Sequence, residues 1–177
     1  MPPLRFVLGR RLTSLHADIG GSLSPALEFN PVSMERAEDR QAVVMLAAQC
    51  RSADPSGHFA PAGLVAELHG RPGRAVHAWL AWPMGATTRG VAGGCVDNGP
   101  LGLVALVAAG EVPQPLFSIA WLLVHPDARR RGIATALVVH AVARAESLGA
   151  TRVSAETLSS WPAAVGFWRS IGCEQES

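Results

Sequence analysis

Apolar residues recur along this chain with two different periods, and the changes of period mark out its elements. Ala42, Val43, Leu46 and Ala47 repeat at helical spacing, with Ser33 as candidate N-cap and Glu35 and Glu38 as acidic residues suited to a helix start. Pro61 opens a second, short helix whose apolar face is Leu64, Val65 and Leu68, ended at Gly70. The middle of the chain reads as sheet. Ala75 to Trp82 and Leu101 to Ala109 are apolar strands, joined by a long glycine-rich connection from Pro83 to Pro100. Phe117 to Val124 is a third strand, apolar almost throughout, as a strand covered on both faces would be. From Arg130 to Leu148 the period turns helical again. Ile133, Leu137, Ala141, Ala145 and Leu148 form one stripe, and Gly149 supplies the stop. Arg152 to Thr157 is a fourth core strand, and Pro162 to Ile171 a last helix ended by Gly172. This order of elements predicts a mixed α/β layered domain.

Ahead of that pattern, Leu4 to Leu8 has the character of a strand, and Gly20-Gly21-Ser22 with Pro25 breaks the chain behind it. Residues 1–28 therefore read as an N-terminal extension to a single domain spanning 29–177. At 49% hydrophobic residues, a chain of 177 residues can bury a sizeable core. The net charge of +1 leaves no footprint for nucleic acid or an acidic membrane. The longest apolar run, Leu101 to Ala109, falls well short of the ~18 residues a membrane span needs. Three scattered cysteines, Cys50, Cys95 and Cys173, have neither metal-ligand nor disulfide spacing, which points to reduced thiols in the cytoplasm. All fifteen basic residues are arginine, and tyrosine is absent, so no phenol exists to act as acid or base.

The segment that carries chemistry is Val124-His125-Pro126-Asp127-Ala128-Arg129-Arg130-Arg131-Gly132-Ile133-Ala134, which joins a strand to a helix. A helix start leaves backbone N–H groups unpaired and carries partial positive charge, so it attracts anions. Gly132 and Ala134 let a ligand approach the main chain, and three arginines add fixed charge. Together they predict a pyrophosphate cradle. It is neither a Gly-x-x-x-x-Gly-Lys loop nor a Gly-x-Gly-x-x-Gly turn.

The spacing of Arg129, Gly132 and Ala134 resembles the coenzyme A signature of the GCN5-related N-acetyltransferase (GNAT) family. Ala164-Val165-Gly166-Phe167-Trp168-Arg169-Ser170-Ile171-Gly172-Cys173 is similar to that family's last helix. The resemblance covers roughly residues 75–173. It implies a mixed, mostly antiparallel, twisted sheet with a splayed pair of central parallel strands and helices on both faces. Phe117 to Val124 would be the family's bulged fourth strand and Arg152 to Thr157 its fifth. It further implies acetyl-CoA as co-substrate, with the pantetheine arm along the backbone of Leu122, Leu123 and Val124. The pyrophosphate would lie on Arg129, Arg130, Arg131, Gly132, Ile133, Ala134 and Thr135. A backbone N–H near Val124 would polarise the thioester carbonyl. Glu156 is the implied general base toward a primary amine, on a small molecule or a peptide.

Two departures set further expectations. Trp168 aligns with the tyrosine that protonates the leaving thiolate, which places it near the thiol, but an indole is no useful acid. Ser159, Ser160 or water would have to assist, and a non-catalytic acyl-CoA-binding or interaction module is the competing reading. The family closes its sheet with two strands after the last helix, whereas this sequence ends at Ser177. Leu4 to Leu8 would supply a substitute, or a homodimer partner would complete the sheet, or the sequence is incomplete. Among the histidines, His125 is expected to pack or face solvent in its turn, His140 to be exposed, and His77 to sit in the core or at an edge rather than line a cleft. Metal ligands are not expected.

Overall fold

Strands that are apolar on both faces need cover on both sides, and helices from the two halves of the chain provide it. The computed structural model describes residues 3–8, 26–52, 59–70, 73–85, 99–109 and 116–176. Its strands are β1 (Pro3–Leu8), β2 (Leu27–Pro31), β3 (Ala75–Pro83), β4 (Gly102–Ala109), β5 (Leu116–Val124), β6 (Val153–Leu158) and β7 (Glu174–Gln175). The helices are α1 (Ala37–Ser52), α2 (Pro61–Leu68), α3 (Ile133–Ser147) and α4 (Pro162–Ser170). The described strands form one seven-stranded sheet in the order β2-β3-β4-β5-β6-β1-β7. Only β5 and β6 run parallel; the other neighbours are antiparallel.

On one face, Ile133, Leu137, Val138 and Ala141 of α3 pack on Trp79, Val104, Leu106, Ile119 and Ala155. On the other, Val43, Leu46 and Ala47 of α1 and Leu64 of α2 pack on Leu80, Trp82, Leu103 and Ala105. Alternation along each strand thus sends one residue to each cluster in turn. Gly102 is small for a reason. A Cβ there would stand 2.7 Å from the Leu123 carbonyl oxygen and 2.8 Å from Leu137 Cδ1, so β4, β5 and α3 meet closely at that point.

The strand expected at Leu4 to Leu8 is β1, and it lies inside the sheet rather than beside it. It pairs antiparallel with all of β6, from Pro3↔Leu158 to Leu8↔Val153, and with β7 on its other side. Phe6 is fully buried. The Glu176 amide donates to the Arg5 carbonyl at 2.9 Å. The Glu176 carboxylate meets Arg5 at 3.4 Å and Arg152 at 2.8 Å. The strand beside β6 therefore comes from this chain. β2 straddles the boundary expected at residue 28.

Some local expectations are corrected. Ser33 does not cap α1, which starts at Ala37; the Ser33 amide instead donates to Asp39 Oδ2 at 2.7 Å, and a turn separates the two. α3 begins at Ile133 rather than Arg130, because Arg130 (φ 62°) and Gly132 (φ 77°) are both left-handed. β5 is not covered on both faces along its length: Phe117 and Ile119 are buried, but Trp121 to Val124 are only partly so. The Gly20–Ser22 break, residues 86–98 of the glycine-rich connection and Cys95 lie outside the described residues.

His140 is not exposed. It stacks on Phe29 with ring centroids 4.5 Å apart and meets the edge of Trp79 at 5.0 Å, because its position on α3 overhangs β2 and β3. With His77, Trp79 and Arg144 it lines a shallow cleft of about 500 Å³ at that end of the sheet. His77 thus lines a cleft, contrary to the expected core or edge placement. Burial holds His140 below its ordinary pKa, and burial together with the Arg144 charge does so for His77. The unfolded chain then takes up protons first as pH falls, so this stability is complete above ~6.5 and is lost on acidification. The melting temperature should fall between about pH 7.5 and 5.5, with a shallower slope in His140→Phe. Identical slopes in melts of the two proteins would refute the linkage.

Candidate functional site

Two irregularities at the centre of the sheet open it. Register between β4 and β5 jumps from Ala105↔Trp121 to Leu106↔Ile119, which leaves Ala120 without an opposite residue. Such a bulge bends its strand. On the far side, β5 and β6 pair only at Phe117↔Val153, Ser118↔Ser154 and Ile119↔Ala155. Beyond Ile119, β5 continues against β4 while β6 continues against β1. The two parallel strands therefore part into a gap that starts at the bulge.

Main-chain direction along β5 follows from one hydrogen bond. The His125 amide donates to the Leu101 carbonyl at 2.9 Å, so odd-numbered residues here turn their polar groups toward β4. Leu122 and Val124 then turn theirs toward the gap, while the main chain of Leu123 belongs to the β4 ladder. Val124 is tied further: its carbonyl accepts from Cys50 Sγ at 3.5 Å and from Arg129 Nε at 3.4 Å. Burial pushes the Cys50 pKa up despite the nearby Arg129 charge, which keeps the thiol a donor. An isolated cysteine gave no signal of this role in the sequence; only its place at the end of α1 reveals it.

The gap leads to the mouth of α3. A short 3-10 turn, Pro126–Ala128, follows β5, and its start is fixed by buried His125, whose Nδ1 accepts from the Asp127 amide at 3.2 Å. Left-handed Arg130 and Gly132 then swing the chain into α3, for which no side chain caps the N-terminus. The first amide with an acceptor in the helix is that of Ala136, bonded to the Gly132 carbonyl at 3.0 Å. Helix geometry leaves the amides of Ile133, Ala134 and Thr135 without intrahelical partners. Arg129, Arg130, Arg131 and Gly132 are exposed, and none of these arginines is in an ion pair among the described residues. The result is a solvent-open concentration of positive charge and free donors.

Glu156 stands on β6, one residue past the last β5–β6 pair, and is exposed. Its neighbours Ala155 and Thr157 are buried, so its side chain lies on the α1–α2 face. Across the β1–β6 ladder it faces Arg5. Trp168, expected near a thiol, is packed into the α3-side core at 4% exposure, edge to face with Phe167 at 5.1 Å. Trp121, which the sequence did not single out, and Trp161 flank the gap on the α1–α2 face. No group of metal-ligating side chains occurs among the described residues, and no described helix is long and apolar enough to cross a membrane.

The Acetyltransferase (GNAT) family model matches residues 53–173, and the chain belongs to that family. No curated protein matches it. Among solved structures it is similar to a GNAT-family acetyltransferase from Desulfovibrio desulfuricans, with a TM-score of 0.60, 18% identity, and 86% of this chain and 87% of that one covered. An aminoglycoside N-acetyltransferase in complex with CoA aligns with a TM-score of 0.58 at 12% identity, over 85% of this chain and 90% of the other. An aminoglycoside acetyltransferase from an uncultured soil sample, in complex with sisomicin, gives 0.57 at 15% identity, over 83% and 88%.

Proposed function

We propose that this protein transfers an acetyl group from acetyl-coenzyme A to a primary amine. The observation that carries the reading is the gap between β5 and β6 running into the open, arginine-flanked mouth of α3. The residues present suit the coenzyme at both ends. Amides of Ile133, Ala134 and Thr135 with Arg129, Arg130 and Arg131 would take the diphosphate, and the edge of Leu122 and Val124 would pair with the amide-bearing pantetheine arm.

Chemistry at the gap follows from the same groups. An incoming ammonium must lose a proton before its lone pair can attack, and Glu156, exposed on β6, would take it. As the N–C bond forms, charge gathers on the thioester oxygen, where the N–H groups turned into the gap stabilise it. The C–S bond then breaks and the thiolate takes its proton from solvent, because buried Trp168 supplies no acid. That same substitution favours a second reading, a coenzyme-binding module without turnover.

Calorimetric titration with acetyl-CoA followed by thiol release over a panel of amines separates the two. The transferase reading expects micromolar binding and amine-dependent release. Binding with release no faster than hydrolysis would select the module. Glu156→Gln should lower kcat at least ~100-fold with the acetyl-CoA KM unchanged. An unaltered kcat would remove Glu156 from the reaction.

A further inference from the structure

The two banks of the gap each contribute an indole to the same face. Trp121 belongs to β5, beside the bulge and past the last residue paired with β6. It meets Phe59 edge to face at 5.9 Å and lies 3.6 Å from where a Cβ on Gly63 would be, so α2 fixes its orientation. Trp161 comes from the far bank, where its amide donates to the Leu158 carbonyl at the end of β6 and its own carbonyl starts α4. Both are only partly buried, and both pack against the cluster under α1 and α2. Trp161 therefore packs on the same buried cluster as Trp121, on the face where Glu156 stands.

Charge on this face points the same way. Glu156 is exposed on this face, one residue past the last β5–β6 pair. Glu67 of α2 is held by Arg74 at 3.0 Å. Arg5, which also meets Glu176 at 3.4 Å, sits directly across the strand pair from Glu156, so a second ammonium beside the first would approach a guanidinium. An acceptor carrying many ammonium groups needs several unpaired carboxylates, whereas among the described residues Trp121 and Trp161 give this face apolar planes.

Resting on the transferase reading, we infer that the acceptor is a small primary amine with a single positive charge and a flat aromatic body. Trp121 and Trp161 hold the ring, and Glu156 receives the ammonium end. Offset or edge-on stacking on indole supplies affinity that an alkyl chain of equal area lacks.

The test compares 2-phenylethylamine, hexylamine and an aminoglycoside as acceptors, with native protein and with Trp161→Leu. The native protein should show kcat/KM at least about tenfold higher for the arylamine than for hexylamine, and lowest for the aminoglycoside. Trp161→Leu should raise the arylamine KM about tenfold and erase most of the aryl preference, with acetyl-CoA affinity held. Preference for the aminoglycoside, or an aryl preference untouched in both Trp161→Leu and Trp121→Leu, would overturn the inference. Calorimetric titration of 2-phenylethylamine, with and without CoA, reads the same contact without turnover. Binding weakened about tenfold by Trp161→Leu supports the subsite even if no amine is acetylated, whereas no binding refutes it. Failure of acetyl-CoA to bind would count separately, against the transferase reading.

Discussion

Replacing Ala134 with Asp is expected to weaken acetyl-CoA binding by about 100-fold, close to 2.8 kcal/mol, while leaving the fold at least as stable as before. The two effects separate because one property of the site acts in opposite directions on them. Ala134 lies in the first turn of α3, where no side chain caps the amides. A carboxylate there satisfies the helix end and complements its partial positive charge, a gain of about 0.3–1 kcal/mol. That carboxylate also takes the place reserved for the diphosphate and repels it. Calorimetry and thermal melts on the same sample decide the matter. Weak binding with a melting temperature unshifted or slightly raised supports the cradle, and native affinity would show that the anion goes elsewhere.

Phe6→Ala is expected to be the most damaging single change to stability, costing about 3–5 kcal/mol. Phe6 is fully buried on the α3 side of the sheet, opposite Ala155 in the β1–β6 ladder. Truncation leaves a void between two strands and loosens the strand that covers β6. For a chain of this size the melting temperature should drop on the order of 10 °C. An exposed β6 edge should also make the variant prone to aggregate. A drop of less than about 2 °C would mean that β1 is dispensable, and that the ladder contributes little.

How much of this was legible in the sequence depended on the range of the interactions involved. α3 announced itself because Ile133, Leu137, Ala141 and Ala145 repeat over four turns, and all four are buried. β3, β4 and β6 were readable from apolar runs, within a residue or so at each end. The turn from Arg129 to Ala134 was readable because local composition alone sets its charge and its close approach. What stayed hidden was relational. Nothing in Phe117 to Val124 shows that it leaves β6 after Ile119, since a strand beside a gap has the same apolar sequence as a buried one. The partial burial of Trp121 to Val124 is the mark of that departure. His140 looked like a solvent-side helix residue because Phe29 and Trp79, which enclose it, come from distant strands. Cys50 and Trp121 belong to no motif, and only the fold brings them to the gap.

The position of β1 bears on how the molecule is made. Synthesis delivers β1 long before β6, and the Arg5 carbonyl finds its partner only at Glu176. Until then a short apolar strand stays unpaired while α1, α2, β3 and β4 close around it in sequence. Contacts between such distant segments form late and slowly. The half of the gap formed by β6 is therefore completed last, so a nascent chain stalled before residue 153 would carry the Arg129–Ala134 turn without the bank that holds Glu156.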